Sequence, residues 1–163
     1  MNDKRKVVYD SLNRMEVTYE VIEHPAVFTI EEMDNLGMEI KGEILKNLFI
    51  RDDKKKNFFI IVLCKQKRAN LKEIRAKLDS GALTFASEEY LYKYLKLQKG
   101  EVTPFGVLND EQCEVKVVFD SDIFSFDKVG VHPNDNTATV WLSPYDLRSV
   151  IEVYGNEVRS IEL

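Results

Sequence analysis

A lysine interrupts an apolar stretch of the sequence, where its ammonium group could meet an anion. In "EILKNLFIRDDKKKNFFIIVLC" (residues 43–64), two apolar runs flank a charged turn, and Lys46 lies within the first run. A strand has a period of two residues, so Lys46 shares one face with Leu48 and Ile50, while Asn47 lies on the other. Two interpretations stay open. Either the lysine extends its ammonium to water, or it is held at the rim of an apolar pocket to bind a negative group.

The other reactive side chains form no recognisable catalytic or metal-binding pattern. His24 and His132 are the two histidines; neither has a second ligand at metal-like spacing, and each precedes a proline. Cys64 ends an apolar run, which favours a buried thiol over a nucleophile. No serine lies in a nucleophile elbow, and no glycine-rich phosphate loop precedes a helix. Any chemistry must therefore use a lysine, backbone amides or groups of the substrate itself.

A loop with the sequence "GEVTPFGVLND" (residues 100–110) is a second candidate for chemistry. Gly100 lets the backbone approach a ligand closely, and Pro104 stiffens the turn. Exposed N–H groups in such a loop can bind a carbonyl oxygen or an oxyanion. By itself, the Gly-x-x-x-Pro pattern is equally compatible with an ordinary loop.

Charge is unevenly distributed along the chain. The net charge is −5, yet residues 41–77 contain 12 of the 23 Lys and Arg residues and only four acids. This segment carries +8 and the remainder carries −13, so an acidic protein can present a local surface that attracts phosphate. A solvated hairpin turn and helix face is the alternative explanation.

Composition and length predict a single cytoplasmic domain over residues 1–163. Hydrophobic residues at 44% and charged residues at 31% are ordinary for a globular protein. No run approaches the roughly 18 apolar residues of a membrane span. The charged start of the sequence lacks the apolar core of a signal peptide, and two cysteines do not indicate a disulfide framework. Free thiols and no membrane contact are expected.

The elements that must position these residues are helices and strands in irregular alternation. Capping residues and apolar periodicity predict helices at 3–15, after Thr29, from Asn70 to about Leu78, after Ser87, and from Pro144 to Gly155. Apolar or alternating runs predict strands at 18–24, 44–51, 57–64, 82–87, 113–120, 128–132, 137–142 and 157–163, and residues 98–110 are predicted to be a loop. There is no repeated βαβ rhythm. This order predicts an α+β fold with a mostly antiparallel or mixed sheet.

Four stretches together resemble a known family: "EHPAVFTIEEM" (23–33), "KNLFIRD" (46–52), "GEVTPFGVLND" (100–110) and "VHPNDNTATVWLSPYDL" (131–147). In this order and at this spacing they resemble the YbaK/ProX-like aminoacyl-tRNA deacylases, free-standing relatives of the editing domain of bacterial prolyl-tRNA synthetase. The resemblance extends over residues 20–155. It is strongest to the ProX-type branch, which removes alanine from mischarged proline tRNA. It implies a mixed, barrel-like β-sheet surrounded by helices.

The resemblance also implies roles for residues of this chain. Lys46, followed by Asn47, corresponds to the family's lysine, which is expected to contact the 3′ end of the acylated tRNA. Gly100 and Pro104 correspond to the loop that lines the aminoacyl ester, and Phe105 follows as a substrate contact. The implied wall of the amino-acid pocket contains Phe28, His132 and Asn136.

The implied reaction is hydrolysis of the ester between an amino acid and the terminal ribose. The neighbouring 2′-hydroxyl would orient or activate water, and Lys46 would position phosphate or ribose rather than attack. No metal or dissociable cofactor is expected. The expected partners are aminoacylated proline tRNA, with Lys54, Lys55 and Lys56 as contacts, and prolyl-tRNA synthetase. Two alternatives stay open: a cysteinyl-tRNA deacylase of the same family, and a module of the same fold that binds tRNA without cleaving it.

Overall fold

A computed structural model of the protein describes residues 3–37 and 40–163. Within these ranges the α-helices are α1 (Asp3–Arg14), α2 (Ile30–Asn35), α3 (Leu71–Leu78), α4 (Glu88–Leu95) and α5 (Pro144–Tyr154). The strands are β1 (Tyr19–Glu23), β2 (Glu43–Asp52), β3 (Phe58–Cys64), β4 (Leu83–Phe85), β5 (Val115–Asp120), β6 (Val129–Val131), β7 (Ala138–Leu142) and β8 (Val158–Ile161). Short 3₁₀ helices span Pro104–Asn109 and Ser121–Ser125. No helix in the described ranges is long and apolar enough to cross a membrane.

Local sequence determines where the helices begin. Each predicted capping side chain accepts a hydrogen bond from an amide in the first turn of its helix. The capping residues are Thr29, Asn70, Ser87 and Ser143. Before α2 the capping box is displaced by one residue, because the Glu32 carboxylate accepts from the amide of Phe28 instead of from that of Thr29. This bond ties the backbone of Phe28 to the start of α2.

The strands form one mixed sheet in the order β1-β7-β6-β2-β3-β5-β8, with β4 paired to β2 outside this path. The pairs β2–β6, β3–β5 and β5–β8 are parallel, and the remaining pairs are antiparallel. The α+β fold and the mixed sheet predicted from the sequence are confirmed. The sheet is not closed into a barrel, since β1 and β8 are its two ends and do not pair with each other in the described chain.

Apolar clusters cover both faces of the sheet. The first face carries Ile60 and Val62 of β3 and packs against α1, α4 and α5. The second face carries Ile61 and Leu63 and packs against Ile74 and other residues of α3. Because β3 is buried on both faces, its sequence is a continuous apolar run rather than an alternating one.

Strand β2 has a gap along one edge. On its first edge, β3 pairs with residues 45–51. On its second edge, β6 pairs only with Glu43 and Ile44, and β4 pairs only with residues 50–52. The middle of β2 therefore has no neighbouring strand on the second edge.

Backbone groups of β2 face this gap. The amide of Glu43 donates to Lys128 on the β6 side, and the carbonyl of Phe49 accepts from Ala86 on the β4 side. Backbone groups alternate between the two edges of a strand, so the odd-numbered residues of β2 turn theirs to the second edge. The N–H and C=O of Asn47 consequently face the gap with no strand opposite them.

The segment predicted as a loop, residues 98–110, is more regular than expected. Its second half is the 3₁₀ helix Pro104–Asn109, which begins with Pro104 at its first position and is capped by the hydroxyl of Thr103. The same hydroxyl donates to the carbonyl of His132 at 2.7 Å, so the cap also joins this segment to the end of β6. The sequence prediction missed the helix because a short 3₁₀ turn has no distinctive apolar period.

Candidate active site

A pocket of about 290 Å³ opens at the gap in the sheet. Its wall is built from β2, the end of β6, α2 with the turn before it, and the segment after Gly100. Five of the predicted site residues, which are far apart in the sequence, line this pocket: Phe28, Lys46, Asn47, Gly100 and His132. The remaining wall is mainly apolar, and the small volume suits a small ligand group.

Lys46 is half-buried at the rim of this pocket. Its ammonium donates a hydrogen bond of 2.6 Å to the backbone carbonyl of Lys67 in the loop after β3. Lys67 is itself anchored, since its ammonium pairs at 2.8 Å with Asp120, which is fully buried, and at 2.7 Å with Asp122. Burial alone would lower the pKa of Lys67, but its hydrogen bonds to these two carboxylates raise it. The fold therefore holds the Lys46 ammonium in place and leaves its other two N–H bonds for a ligand.

Asn47 contributes unsatisfied hydrogen-bonding groups to the pocket. Its Oδ1 atom is buried and has no hydrogen-bond partner in the described structure. Its Nδ2 atom makes a long contact of 3.5 Å to the carbonyl of Leu45. A buried polar atom without a partner costs stability, and because Oδ1 of Asn47 has almost no exposed surface, the side chain must shift before a ligand could donate to it.

Gly100 allows the loop to lie directly against Phe28. Its φ is +86°, and a Cβ atom at this position would lie 2.3 Å from Cδ1 of Phe28. The loop is held from α1 by the ion pair of Lys4 with Glu101, at 2.9 Å. In the described structure the backbone N–H groups of Gly100 and Val102 have no acceptor, and both residues line the pocket. These two amides can donate to an oxygen of a ligand.

The two histidines come together beside the pocket, with ring centroids 6.1 Å apart. Nδ1 of His132 donates to the carbonyl of Ala138 at 3.0 Å, which leaves Nε2 as the free nitrogen of the ring. Burial lowers the pKa of His132 below its usual 6.5, the Ala138 carbonyl opposes this, and the nearby His24 adds to it. His132 is therefore neutral at pH 7, and its Nε2 is a hydrogen-bond acceptor. His24 in turn contacts the hydroxyl of Thr139 at 2.9 Å.

The sequence matches the family described as "Aminoacyl-tRNA editing domain" over residues 24–150. The chain belongs to the aminoacyl-tRNA editing domain family. The membership inferred from the four sequence stretches is thus confirmed.

Two relatives and one solved structure match this editing domain over nearly their whole length. It is 47% identical over 161 residues to the "Prolyl-tRNA editing protein ProX" of Acetoanaerobium sticklandii, covering 99% of this chain and 98% of that protein. It is 36% identical over 160 residues to the "Prolyl-tRNA synthetase associated domain-containing protein 1" of Mus musculus, covering 96% of this chain and 94% of that protein. A solved structure described as a candidate trans-editing enzyme for prolyl-tRNA synthetase has a TM-score of 0.74 at 20% identity, covering 100% of this chain and 99% of that chain. At this identity the last match supports the fold alone.

Three predicted residues of the editing domain do not line the pocket. Pro104 is buried at the start of the 3₁₀ helix, and Phe105 is 0% exposed in the first-face cluster, so the Phe105 side chain is not accessible to a ligand. Asn136 lies behind the wall, where its Nδ2 donates to the carbonyl of Val27 at 2.8 Å. Since Val27 lines the pocket, Asn136 is placed to hold the wall rather than to touch a ligand.

The three lysines predicted to contact tRNA lie at the other end of the hairpin. Lys54, Lys55 and Lys56 are exposed in the β2–β3 turn, which the carboxylate of Asp52 organises by accepting from the amide of Lys56. Six residues of strand separate Asp52 from Lys46, a distance of about 20 Å. These lysines are therefore too far from the pocket to contact a group bound in it.

Metal and thiol chemistry find no support in the described part of the editing domain. No group of three or more His, Cys, Asp or Glu side chains there could hold a metal ion. Burial, together with the nearby Asp120 carboxylate, raises the pKa of the Cys64 thiol to about 12. Cys64 is a buried thiol, as its position at the end of an apolar run predicted.

Sequence analysis missed three residues that contribute to this site. Thr139 is a buried hydroxyl in an otherwise apolar strand, and that contrast in "ATVWL" was the available signal. Val102 contributes a backbone amide, which no side-chain pattern reveals. Lys67 holds Lys46 through a carbonyl 21 residues away in the sequence, and this contact follows only from the pairing of β2 with β3.

Proposed function

We propose that the protein hydrolyses the ester of mischarged aminoacyl-tRNA, with alanine on proline tRNA as the principal substrate. The name of the ProX relative, at 47% identity over nearly the full length of both chains, supports a prolyl-tRNA editing role. Prolyl-tRNA synthetase is the enzyme whose errors this activity would correct, and the site of action would be the cytoplasm, where charged tRNA is used.

One observation carries this proposal. Lys46, Asn47, Gly100 and His132 come from three separate stretches of the sequence, and all four line one small pocket at the gap in the sheet. The pocket offers a cation, two backbone amides without acceptors and a neutral imidazole. These groups suit an ester that links a small amino acid to a ribose beside a phosphate.

The proposed mechanism uses these groups to position the substrate and to stabilise the charge that develops. The Lys46 ammonium binds the terminal phosphate or ribose. Water attacks the ester carbonyl carbon, and the amides of Gly100 and Val102 donate to the oxyanion of the tetrahedral intermediate. The neighbouring 2′-hydroxyl of the substrate orients the water. Collapse breaks the bond to the ribose oxygen, which takes up one proton of the attacking water; the other proton passes to solvent, and the amino acid leaves as its carboxylate.

Selectivity in this proposal depends on exclusion. Proline is larger and more apolar than alanine, and each added methylene strengthens binding to a roomy apolar pocket by roughly 1–3 kcal/mol. An editing site must nevertheless spare the correct prolyl ester. The proposal places this exclusion in the part of the pocket between Phe28, Gly100 and His132, which would have to be too narrow for the pyrrolidine ring.

The test is to incubate the purified protein with alanyl-, cysteinyl- and prolyl-tRNA and to measure ester loss, with a protein-free incubation as the control. Fast loss from alanyl-tRNA alone is the expected result. Preferential loss from cysteinyl-tRNA would instead identify the protein as a cysteinyl-tRNA deacylase, the alternative within the same family. Tight binding of charged tRNA without ester loss above the control would refute hydrolysis and leave a tRNA-binding module.

A further inference from the structure

Phe85 is a large apolar side chain that the fold leaves exposed beside the pocket. It is the last residue of β4 and is 57% exposed. Phe85 pairs with Ile50 of β2, and directly opposed residues of antiparallel strands project to the same face. Ile50 belongs to the second-face cluster, so Phe85 projects from the second face of the sheet.

Phe85 and the pocket occupy neighbouring stretches of the same edge of β2. Leu48, on the same face and two residues from Ile50, lines the pocket and is a diagonal neighbour of Phe85, at about 7–8 Å. Lys46 is four residues from Ile50, a distance of about 13 Å along the strand. This separation places Phe85 outside the pocket, on the same edge of β2 as the pocket.

The second face also carries exposed cations. Residues 65–79, which form the loop after β3 and helix α3, contain six Lys and Arg residues and two acids. The side chains of Arg68, Lys72 and Arg75 are exposed, and none of them forms an ion pair within the described chain, whereas Lys65, Lys67 and Lys77 do. Helix α3 packs on the same face of the sheet as Phe85 and contacts β4. Exposed aromatic rings together with cations are the combination by which proteins bind single-stranded nucleic acid, with bases on the ring and phosphates on the cations.

We propose that Phe85 is a stacking platform for an unpaired base of the RNA strand just upstream of the acylated nucleotide. Arg68, Lys72 and Arg75 supply the positive field that holds the phosphates of this strand. The inference rests on the proposed function, because it requires an RNA substrate whose 3′ end enters the pocket. Phe85 binds substrate away from the reacting atoms, so it acts on KM and not on kcat.

The first test compares two variants on two substrates at one fixed salt concentration. Phe85→Ala should raise KM for alanyl-tRNA at least about fivefold, the lower end of the effect of removing one stacked base, with kcat unchanged. Phe85→Trp keeps an aromatic surface and should restore a KM near that of the wild type. Alanyl-adenosine has no upstream base, so both variants should hydrolyse it as the wild type does. Tyr145→Ala, which removes another exposed aromatic ring, is the control.

The second test does not depend on catalysis. RNA hairpins that reproduce the acceptor end of the tRNA, without an attached amino acid, are titrated with protein. In each hairpin 2-aminopurine replaces one of the unpaired bases upstream of the 3′ end. Stacking on Phe85 should quench the fluorescence at one position with the wild type and with Phe85→Trp, but not with Phe85→Ala. An unchanged KM and equal quenching in Phe85→Ala would overturn the proposal. A wild type that binds this RNA but hydrolyses no ester would refute the proposed function while leaving this test intact.

Discussion

The substitution Gly100→Ala tests whether close packing of the loop against Phe28 shapes the pocket. The added Cβ atom would lie 2.3 Å from one ring atom of Phe28 and 2.9 Å from another. Ordinary carbon contacts begin near 3.5 Å, so the loop and the ring must separate by about 1 Å. Alanine must also adopt the φ of +86° at this position.

The two consequences of this substitution have different magnitudes. A left-handed backbone costs a non-glycine residue about 1–2 kcal/mol. Phe28 is 60% exposed, so its ring can move toward water with little further loss of packing. In a domain of this size the melting temperature should fall by about 2–8 °C. A displacement of about 1 Å in a positioning element can lower the rate up to about 100-fold, so activity should fall far more than stability.

The assay is a double-mutant cycle of Gly100→Ala with Phe28→Ala, measured as kcat/KM for alanyl-tRNA and as melting temperature. Removing the ring removes the clash, so Phe28→Ala should be less harmful in the Gly100→Ala background than in the wild type. Gly37→Ala is the matched control, because Gly37 has a φ of +66° and no described atom lies within 4 Å of the point that an added Cβ would occupy. It should lose stability by backbone strain alone. Wild-type kcat/KM in Gly100→Ala, or strictly additive effects in the cycle, would refute the reasoning.

Four further predictions follow from the same structure. Lys46→Ala should reduce deacylation at least tenfold, with the free energy of unfolding changed by less than about 1.5 kcal/mol, the net value of one hydrogen bond; near-normal activity in the folded variant would contradict its role. Neutralising Lys54, Lys55 and Lys56 together should weaken tRNA binding and reduce, by up to about 3, the magnitude of the slope of log affinity against log salt concentration. An unchanged slope would show that these lysines are only solvated and do not contact tRNA phosphates. Alanyl-tRNA should be hydrolysed and prolyl-tRNA spared, and His132→Ala should relax this discrimination by enlarging the pocket; equal wild-type rates on both esters would exclude the size mechanism. The unfolded chain binds a proton at His132 more readily than the folded one, so part of the stability present above pH 6.5 should be lost as pH falls below it, and chemical denaturation of His132→Gln should show a weaker loss in that window.

Local elements of this fold are predictable because their causes are local. Asn70 and Ser87 cap helices through bonds to amides two or three residues away, and each sits where the sequence places it. The hairpin of β2 and β3 was predictable for the same reason, since its strands are joined by a short charged turn. The first half of residues 98–110 is a loop as predicted, whereas the 3₁₀ helix in its second half depends on the contact of Thr103 with His132.

The site is less predictable because its geometry depends on contacts between distant parts of the chain. Periodicity correctly places Lys46 and Leu48 on one face of β2. It does not reveal that the Lys46 ammonium binds the carbonyl of Lys67, or that the edge of β2 near Asn47 lacks a partner strand. Family resemblance supplied the residues of the pocket, but it could not distinguish His132, which lines the wall, from Asn136, which supports it from behind.

The gap in the sheet also affects whether other polypeptide chains can pair with β2. Unpaired edges at the outside of a sheet are templates for pairing with foreign strands and for aggregation. Here the free N–H and C=O of Asn47 are recessed between β6 on one side and β4 on the other. A straight foreign strand would collide with both neighbours before it reached them, whereas a small ligand enters freely. The hydrogen-bonding backbone groups of this gap are thus available to small molecules and hidden from polypeptide strands.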